Sequence, residues 1–290
     1  MLRSLICSIY LILITSCFSF AQIIKNDSTI VLIPNWVKGE MANFTYRQSR
    51  ERYKEGALYS YDAYITTISM QVLKSTKSSK TILWSYNTIE SEIPNQNQIT
   101  NDIAALTKGL NIRYTVNSDG SFKSLKNWKK VKKYILTSLD VLSEKYASDA
   151  VDTLLNQARD LYSFKENIEQ LVISDIQLFH TLYGNEYILD RKEKVLTAYP
   201  YGEEESIPAV LTYELTQLDK KKKFAKVVLR QFVDTEDKFV KENFLNIPLT
   251  RDYNEFDIDT KKGWITKAQF VREVKEGSYR SVDSYELKKL

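Results

Sequence analysis

The hydropathy pattern of this chain changes its period twice, and that change limits the folds available to it. Residues 36–86 and 112–123 alternate between apolar and polar positions, as strands with one buried face do. Residues 127–183 repeat their apolar positions at helical spacing, and alternation returns over 207–288. The order strands, helices, strands predicts an α+β fold rather than a parallel α/β sheet, in which strands and helices alternate.

Two hairpins are predicted in the first part of the chain. The alternation over 64–72 leads into a polar run at 74–80, after which Ile82, Trp84 and Tyr86 form the inward face of a returning strand. A second tight turn is predicted where Asn and Gly supply unusual backbone angles, at residues 117–120. Adjacent antiparallel strands follow from both hairpins.

Three amphipathic helices are predicted in the middle third of the chain. Asn127 is a candidate N-cap of the first helix, and Ser148 or Asp149 of the second. Ser163 and Glu166 have the spacing of a capping box for the third, which Gly184 ends. The apolar stripes that define these helices comprise Trp128, Val131, Ile135, Leu139, Leu142 and Tyr146, then Val151, Leu154, Leu155, Ala158 and Leu161, then Ile168, Leu171, Val172, Ile176, Phe179 and Leu182.

A single domain over 22–290 accounts for these elements. One large curved antiparallel sheet packed against the central group of three helices would bury the apolar face of both layers. A division into two domains near Lys126 or Gly184 is the alternative, although no Pro-, Ser- or Gly-rich linker marks a boundary there.

The first 21 residues have the features of an export signal. Arg3 precedes an apolar run over 5–14, and small residues lead to Ala21, which predicts cleavage after that residue. In the alternative, residues 14–17 form a lipobox and Cys17 is acylated. Cleavage after Ala21 removes both cysteines and leaves no thiolate or disulfide. The protein is therefore expected to be exported, with a periplasmic, outer-membrane-associated or secreted location as the alternatives.

The charge of the chain argues against nucleic acid as a partner, and its hydropathy argues against a transmembrane span after residue 21. The chain has 41 Lys and Arg against 37 Asp and Glu, a formal charge of +4, with both signs interspersed. So small a charge gives no reason to expect nucleic acid as a partner. After residue 21 no stretch is apolar enough to predict a transmembrane span.

The usual signatures of catalysis are not found in the sequence. His180 is its only histidine, and a packed helix-end histidine is the simpler interpretation. The Glu run 203–205 and the Lys run 220–223 are typical of solvated turns rather than of metal or nucleic-acid sites. No metal site, cofactor or enzymatic activity is expected, although a hydrolase that uses paired carboxylates stays open.

Aromatic residues are unusually frequent, with 19 Tyr, 12 Phe and 4 Trp. Because tyrosine is amphipathic, a sheet lined with such residues could hold an apolar or glycan-like ligand. The same residues could equally fill the space between sheet and helices. The candidate ligand-binding residues are Tyr64, Met70, Trp84, Tyr86 and Tyr213.

The chain resembles uncharacterised exported proteins of the Bacteroidota. The resemblance is carried by the signal ending at 20–22, the turn sequence 114–120 with Asn127 and Trp128 after it, and the pair Gly263 and Trp264. The strand–helix–strand plan is also similar, as a fold, to LolA-like periplasmic lipoprotein carriers. That resemblance implies a sheet with a helical lid around a cavity for acyl chains.

Together these features predict an exported, non-enzymatic envelope protein that binds a lipid-like or other apolar ligand between sheet and helices. The alternative is a structural or protein-interaction component of an envelope assembly, with an envelope protein as its partner.

Overall fold

The computed structural model describes most of the chain after the predicted export signal. The described residues are 22–26, 28–93, 98–146, 148–201, 205–244 and 246–290. The predicted signal over 1–21, with the candidate lipidation residue Cys17, lies outside them.

The described strands form two sheets. In chain order they are β1 (Gln22–Asn26), β2 (Thr29–Leu32), β3 (Met41–Lys54), β4 (Ala57–Ser75), β5 (Ser79–Ser91), β6 (Asn111–Asn117), β7 (Phe122–Leu125), β8 (Glu186–Ile188), β9 (Lys192–Tyr201), β10 (Glu205–Asp219), β11 (Phe224–Val233), β12 (Leu249–Asp259), β13 (Trp264–Glu276) and β14 (Tyr279–Lys289). Strands β1, β2 and β8 make a small sheet, and the other 11 make a large one.

The large sheet is antiparallel throughout and consists of two meanders joined at their centre. Its strand order is β7-β6-β5-β4-β3-β14-β13-β12-β11-β10-β9. Most neighbours are consecutive in the chain and are paired by local hairpins, whereas β3 and β14 pair across more than 200 residues, with Ser49 opposite Ser284. The predicted large antiparallel sheet is thus confirmed, and its halves meet at β3 and β14.

The predicted hairpin over 64–86 is confirmed in detail. Met70 lies opposite Trp84 and Ile68 lies opposite Tyr86 in the β4–β5 ladder. All four side chains are buried, and the intervening positions on both strands are more exposed. We call the face of the large sheet that carries Met70 and Trp84 the inner face.

Six helices are described. They are α1 (Gln98–Ala104), α2 (Trp128–Lys145), α3 (Asp149–Leu161), α4 (Lys165–Leu171), α5 (Ser174–His180) and α6 (Lys238–Asn243). None of these helices is long and apolar enough to cross a membrane.

The prediction of three central helices is wrong, because the stretch 127–183 holds four. The predicted third helix ends at Leu171, and α5 begins at Ser174 after Ile173, whose ψ of 11° leaves the helical range. The break falls at two consecutive β-branched residues, Val172 and Ile173, which are restricted in a helix. Burial of Ile173 in the core holds the break in place.

The stripe predicted for α2 faces the core, with Val131, Ile135, Leu139 and Leu142 all buried. In α3 the prediction holds only in part, since Leu155 is buried while Leu154 and Leu161 are exposed. Helix α3 packs against α2 rather than against the sheet, so it needs a narrower apolar stripe.

Candidate ligand-binding cleft

The middle of the inner face is closed by a cluster of aromatic side chains. Phe179 of α5 meets Phe44 edge to face at 5.8 Å and Trp84 at 5.6 Å. Trp36 stacks on Trp264 at 4.6 Å in the same cluster. The sheet and α5 are therefore in direct contact here, with ring edges packed against ring faces.

His180 lies within this cluster as a neutral side chain. Its Nδ1 is 2.7 Å from the carbonyl oxygen of Gly120 and its Nε2 is 2.9 Å from the hydroxyl of Tyr114. Because the carbonyl can only accept, Nδ1 donates and Nε2 accepts from Tyr114. Burial lowers the pKa of His180 to about 3, against the opposing effect of the Gly120 hydrogen bond.

A cleft opens beside the packed region, where β3 and β4 extend beyond α5. Its volume is about 400 Å³. Side chains from β3, β4, β5, β14, three of the helices and the connections between helices surround it. They are Tyr46, Gln48, Arg50, Asp62, Tyr64, Thr66, Tyr86, Ile89, Ile103, Ala104, Leu106, Thr107, Ile135, Tyr162, Val172, Ser174, Asp175 and Tyr285, where 105–107 is a 3₁₀ turn after α1 and Tyr162 follows α3.

Burial along β3 shows which way the cleft opens. Phe44 is fully buried, Tyr46 is 6% exposed, Gln48 is half-buried and Arg50 is exposed. These residues alternate with others along the strand and so share one face. The cleft therefore runs from a closed floor at Tyr46 to a mouth at Arg50.

One wall of the cleft is apolar. It is formed by Ile89 of β5, Ile103 of α1, Leu106, Ile135 of α2 and Val172 after α4. Ile103 is exposed although it is a large apolar side chain. A ligand placed here would cover apolar surface that water otherwise contacts.

The floor of the cleft is polar and consists of a carboxylate between two tyrosines. The Tyr86 hydroxyl donates a long hydrogen bond of 3.5 Å to Oδ2 of Asp175. The Tyr46 hydroxyl is buried and makes no well-formed hydrogen bond among the described residues. Asp175 is the acceptor beside it and raises its pKa after the larger effect of burial. Burial raises the pKa of Asp175 itself, while the nearby hydroxyls of Tyr46 and Tyr86 and the charge of Arg50 act the other way.

Charged residues of alternating sign cross the inner face at the level of the cleft mouth. Asp62, Arg50, Asp283, Arg272 and Asp252 lie directly opposite one another on β4, β3, β14, β13 and β12. Such directly opposed unlike charges stabilise neighbouring strands.

The members of this row differ in how they are paired. Arg272 binds both oxygens of Asp252, at 2.7 and 2.8 Å, and Arg52 binds Asp283 at 2.7 Å. Arg50 makes no ion pair with any carboxylate of the described residues. Its charge acts on Asp175 and on the hydroxyl of Tyr285.

A second hollow of about 400 Å³ adjoins the first along α5. It shares Ser174, Asp175 and Tyr285 with the cleft and extends to Asp252 and Arg272. Asp175 therefore stands where the two hollows meet.

The five predicted ligand-binding residues do not form one site. Tyr64 and Tyr86 line the cleft. Met70 and Trp84 are at most 1% exposed and belong to the packed region between sheet and helices. Tyr213, on β10, meets Tyr187 edge to face at 5.8 Å, away from the cleft. A ligand-binding role for these residues stays a prediction.

Tyr46, Arg50, Asp175 and Tyr285 were not predicted from the sequence as site residues. The alternation along β3 could have placed Tyr46 and Arg50 on one face, but β14 was not recognised as the partner of β3. Asp175 was hidden inside the helix predicted as continuous. Two carboxylates, Asp62 and Asp175, do line the same cleft, and a catalytic use of such a pair stays a prediction.

No protein-family model and no curated protein matches the sequence. The resemblances to exported proteins of the Bacteroidota and to LolA-like carriers therefore stay expectations.

Two solved structures align with most of this chain. A structure that describes lipid–protein interactions in lipovitellin matches 87% of this chain and 25% of its own, with 10% identity and a TM-score of 0.47. An outer membrane channel from Pseudomonas putida F1 matches 89% of this chain and 98% of its own, with 6% identity and a TM-score of 0.19. The chain spans about a quarter of the lipovitellin chain. Neither TM-score reaches 0.5, so the two likenesses do not establish a shared fold.

Proposed function

We propose that this chain is an exported envelope protein that binds a lipid-like, amphipathic ligand without chemical conversion. The observation that carries the proposal is the cleft between the inner face and the helices, which joins an apolar wall to a polar floor and a charged mouth. Small-molecule sites typically have volumes of about 300–1,000 Å³, and this one lies in that range.

The composition of the cleft favours an amphipathic ligand over a purely polar one. An alkyl chain against Ile89, Ile103 and Leu106 would remove apolar surface from water at roughly 25 cal/mol per Å². The polar end of the same molecule would meet Asp175 at the floor or Arg50 at the mouth. Charged groups at one end of an otherwise apolar pocket orient the ligand.

The ligand site proposed here lies beside the packed centre of the fold. Filling the space between Trp84 and Phe179 would require separating rings that are in contact. The cleft needs no such rearrangement, because Arg50 and Ile103 are already exposed.

Native mass spectrometry of the protein purified gently from its own envelope tests the proposal. We expect a discrete added mass that corresponds to a lipid-like molecule. Ala104→Trp places a large ring in the cleft and should abolish that mass. Ala198→Trp makes the same change at an exposed position of β9 outside the cleft and should leave the mass in place.

A wild-type protein that carries no ligand and takes none up from lipid vesicles would overturn the proposal. Equal ligand loss in both tryptophan variants would show that the cleft is not the site. Recovery of the ligand in intact form supports binding alone, whereas ligand cleaved by the protein would support the carboxylate hydrolase instead.

Export is the second part of the proposal and is supported by the sequence over 1–21. The intact mass of the envelope-derived protein tests it, because cleavage after Ala21 leaves Gln22 as the first residue. Acyl groups on Cys17 would instead indicate a membrane-anchored protein. An unprocessed chain found in the cytoplasm would contradict export in both forms.

A role as an interaction component of an envelope assembly is the second candidate. It is favoured by β9, an edge strand of the large sheet on which Leu196 is 75% exposed. Unpaired strand edges with apolar side chains are where further strands add. In this case Leu196→Lys would release a co-purifying protein partner, and Ala104→Trp would not.

A further inference from the structure

The floor of the cleft contains a hydroxyl group whose hydrogen bonding is incomplete. The Tyr46 ring is held in place by stacking on Tyr285, with centroids 5.8 Å apart and planes 12° apart. Tyr46 lines the cleft, and its buried hydroxyl makes no well-formed hydrogen bond in the part of the chain that the structure describes, although Asp175 lies beside it. Buried polar groups in proteins are nearly always hydrogen-bonded, so this oxygen is suited to a hydrogen bond with a ligand.

Asp175 adds an acceptor beside that hydroxyl. Its hydrogen bond from Tyr86 is long at 3.5 Å, and a carboxylate can accept several more. Burial raises the pKa of Asp175, because the hydrogen bonds and positive charge near it do not fully offset the loss of water around the carboxylate. A group with several N–H donors would satisfy Asp175 and the Tyr46 oxygen together.

The tyrosine rings favour a positive charge at the same place. Tyr46, Tyr86 and Tyr285 all line the cleft around Asp175. Cations are attracted to the faces of aromatic rings, and more strongly where water is excluded. A primary ammonium group combines this charge with three N–H donors, whereas a quaternary ammonium has the charge and no donor.

Arg50 supplies the complementary group at the mouth. It is exposed, makes no ion pair among the described residues, and lies near enough to affect both Asp175 and Tyr285 electrostatically. A guanidinium group binds phosphate through two parallel hydrogen bonds. Arg50 can therefore bind an anionic group while the floor holds a cationic one.

The charge balance excludes simpler ligands. A purely anionic headgroup would bring its charge close to Asp62 and Asp175, and a purely cationic one would bring its charge close to Arg50. Asp283 is already occupied by Arg52. Only a group with both charges can place an opposite charge near each of these side chains.

We infer that the polar part of the cleft is a subsite for a zwitterionic group that joins a primary amine to a phosphate, as phosphoethanolamine does. The ammonium group lies between Asp175 and the Tyr46 hydroxyl, and the phosphate lies against Arg50. This inference rests on the proposed function insofar as the group is the headgroup of a bound lipid.

Competition between headgroups tests the inference. The protein is incubated with vesicles that contain equal amounts of dioleoyl phosphatidylethanolamine, phosphatidylcholine and phosphatidylglycerol, and bound masses are compared by native mass spectrometry. We expect the ethanolamine lipid to exceed each of the others by about tenfold, which corresponds to about 1.4 kcal/mol. The choline lipid tests the need for N–H donors, and the glycerol lipid tests the need for a positive charge.

Three variants separate the two halves of the subsite. Tyr46→Phe and Asp175→Asn should reduce the preference for ethanolamine over choline toward unity while binding of lipid persists. Arg50→Gln should weaken binding of all three phospholipids. Asp160→Asn, at an exposed position on α3, is the matched control and should change neither quantity. Melting temperatures of all variants identify any that fail to fold.

The outcomes distinguish the inference from the proposed function. Lipid bound without headgroup preference would overturn the inference and leave the proposed function standing. Uptake of soluble glycerophosphoethanolamine, with no lipid bound, would support the subsite and overturn the lipid ligand. Binding of neither probe would overturn both.

Discussion

His180 of α5 and Tyr46 of β3 are both buried, and each shows what burial does to a polar side chain. His180 has both ring nitrogens bonded, to Gly120 and Tyr114, and stays neutral. Tyr46 has its ring packed, and its hydroxyl makes no well-formed hydrogen bond among the described residues. The hydrogen bonds of His180 are completed within the fold, whereas the Tyr46 hydroxyl lies at the cleft and keeps capacity for a hydrogen bond with a ligand.

The burial of His180 predicts acid sensitivity. Its pKa falls from 6.5 to about 3 on folding, so the unfolded chain binds the extra proton throughout that window. Its contribution to stability is therefore complete above pH 6.5 and is lost as the pH falls toward 3, at up to about 1.4 kcal/mol per pH unit.

Urea denaturation at pH 7 and pH 5 measures this effect. We expect the free energy of unfolding to fall by about 2 kcal/mol more in the wild type than in His180→Gln, since carboxylates contribute equally to both proteins. An equal fall in both proteins would show that His180 is already protonated in the folded state or is accessible to water.

At the scale of elements, the side chain of Asn127 connects β6 to the start of α2. Asn127 was expected to cap α2, and it does precede that helix. Its side chain is directed elsewhere, since Oδ1 accepts from the Arg113 amide at 2.7 Å and Nδ2 donates to the Asn111 carbonyl at 2.8 Å. The Asn127 side chain therefore forms two hydrogen bonds with the backbone of β6, as the backbone of an adjacent strand would.

Replacement of Asn127 should loosen the junction between β6 and α2. Asn127→Ala leaves one amide and one carbonyl of β6 without their partners, and we expect it to cost about 1–3 kcal/mol of unfolding free energy. Lys130→Ala, at an exposed position one turn later, should lie within about 0.5 kcal/mol of the wild type. Denaturant titration of the two variants checks the difference, and a cost below that of the control would contradict the bridging role.

At the scale of the whole molecule, the pairing of β3 with β14 joins the two meanders. Each meander could form from local hairpins, but β3 and β14 are far apart in sequence and have register pairs from Lys54 with Tyr279 to Phe44 with Lys289. Closing so long a loop costs entropy before any contact is gained. Local interactions can therefore specify each meander, but they do not specify the β3–β14 pairing at the centre of the sheet.

Hydrogen exchange should show a gradient from the centre of the large sheet to its edges. We expect the amides of β3 and β14 to exchange only through global unfolding, while those of β9, whose outer edge is not paired in the described sheet, exchange by local opening. Mass spectrometry of peptic fragments measures both. Rapid exchange in β14 together with protection in β10 and β11 would instead show that the two meanders open independently.

Local patterns were sufficient to predict much of the fold. The hairpins of β4 with β5 and β6 with β7 were predicted because alternation and turn residues act over neighbouring positions. Strand β9 was missed because, as an edge strand with mostly exposed side chains, it has little hydropathy contrast. The break between α4 and α5 was missed because α-helical spacing continues across it.

The sequence by itself determined the α+β class, the antiparallel hairpins and the tyrosine-rich faces, because side-chain direction follows from backbone period. It also located Tyr64 and Tyr86 on strands that line the cleft. Only the tertiary structure decided where the helices stop covering the inner face. Tyr46, Arg50, Asp175 and Tyr285 meet there through the long-range β3–β14 pairing and the packing of α5, which no local pattern encodes.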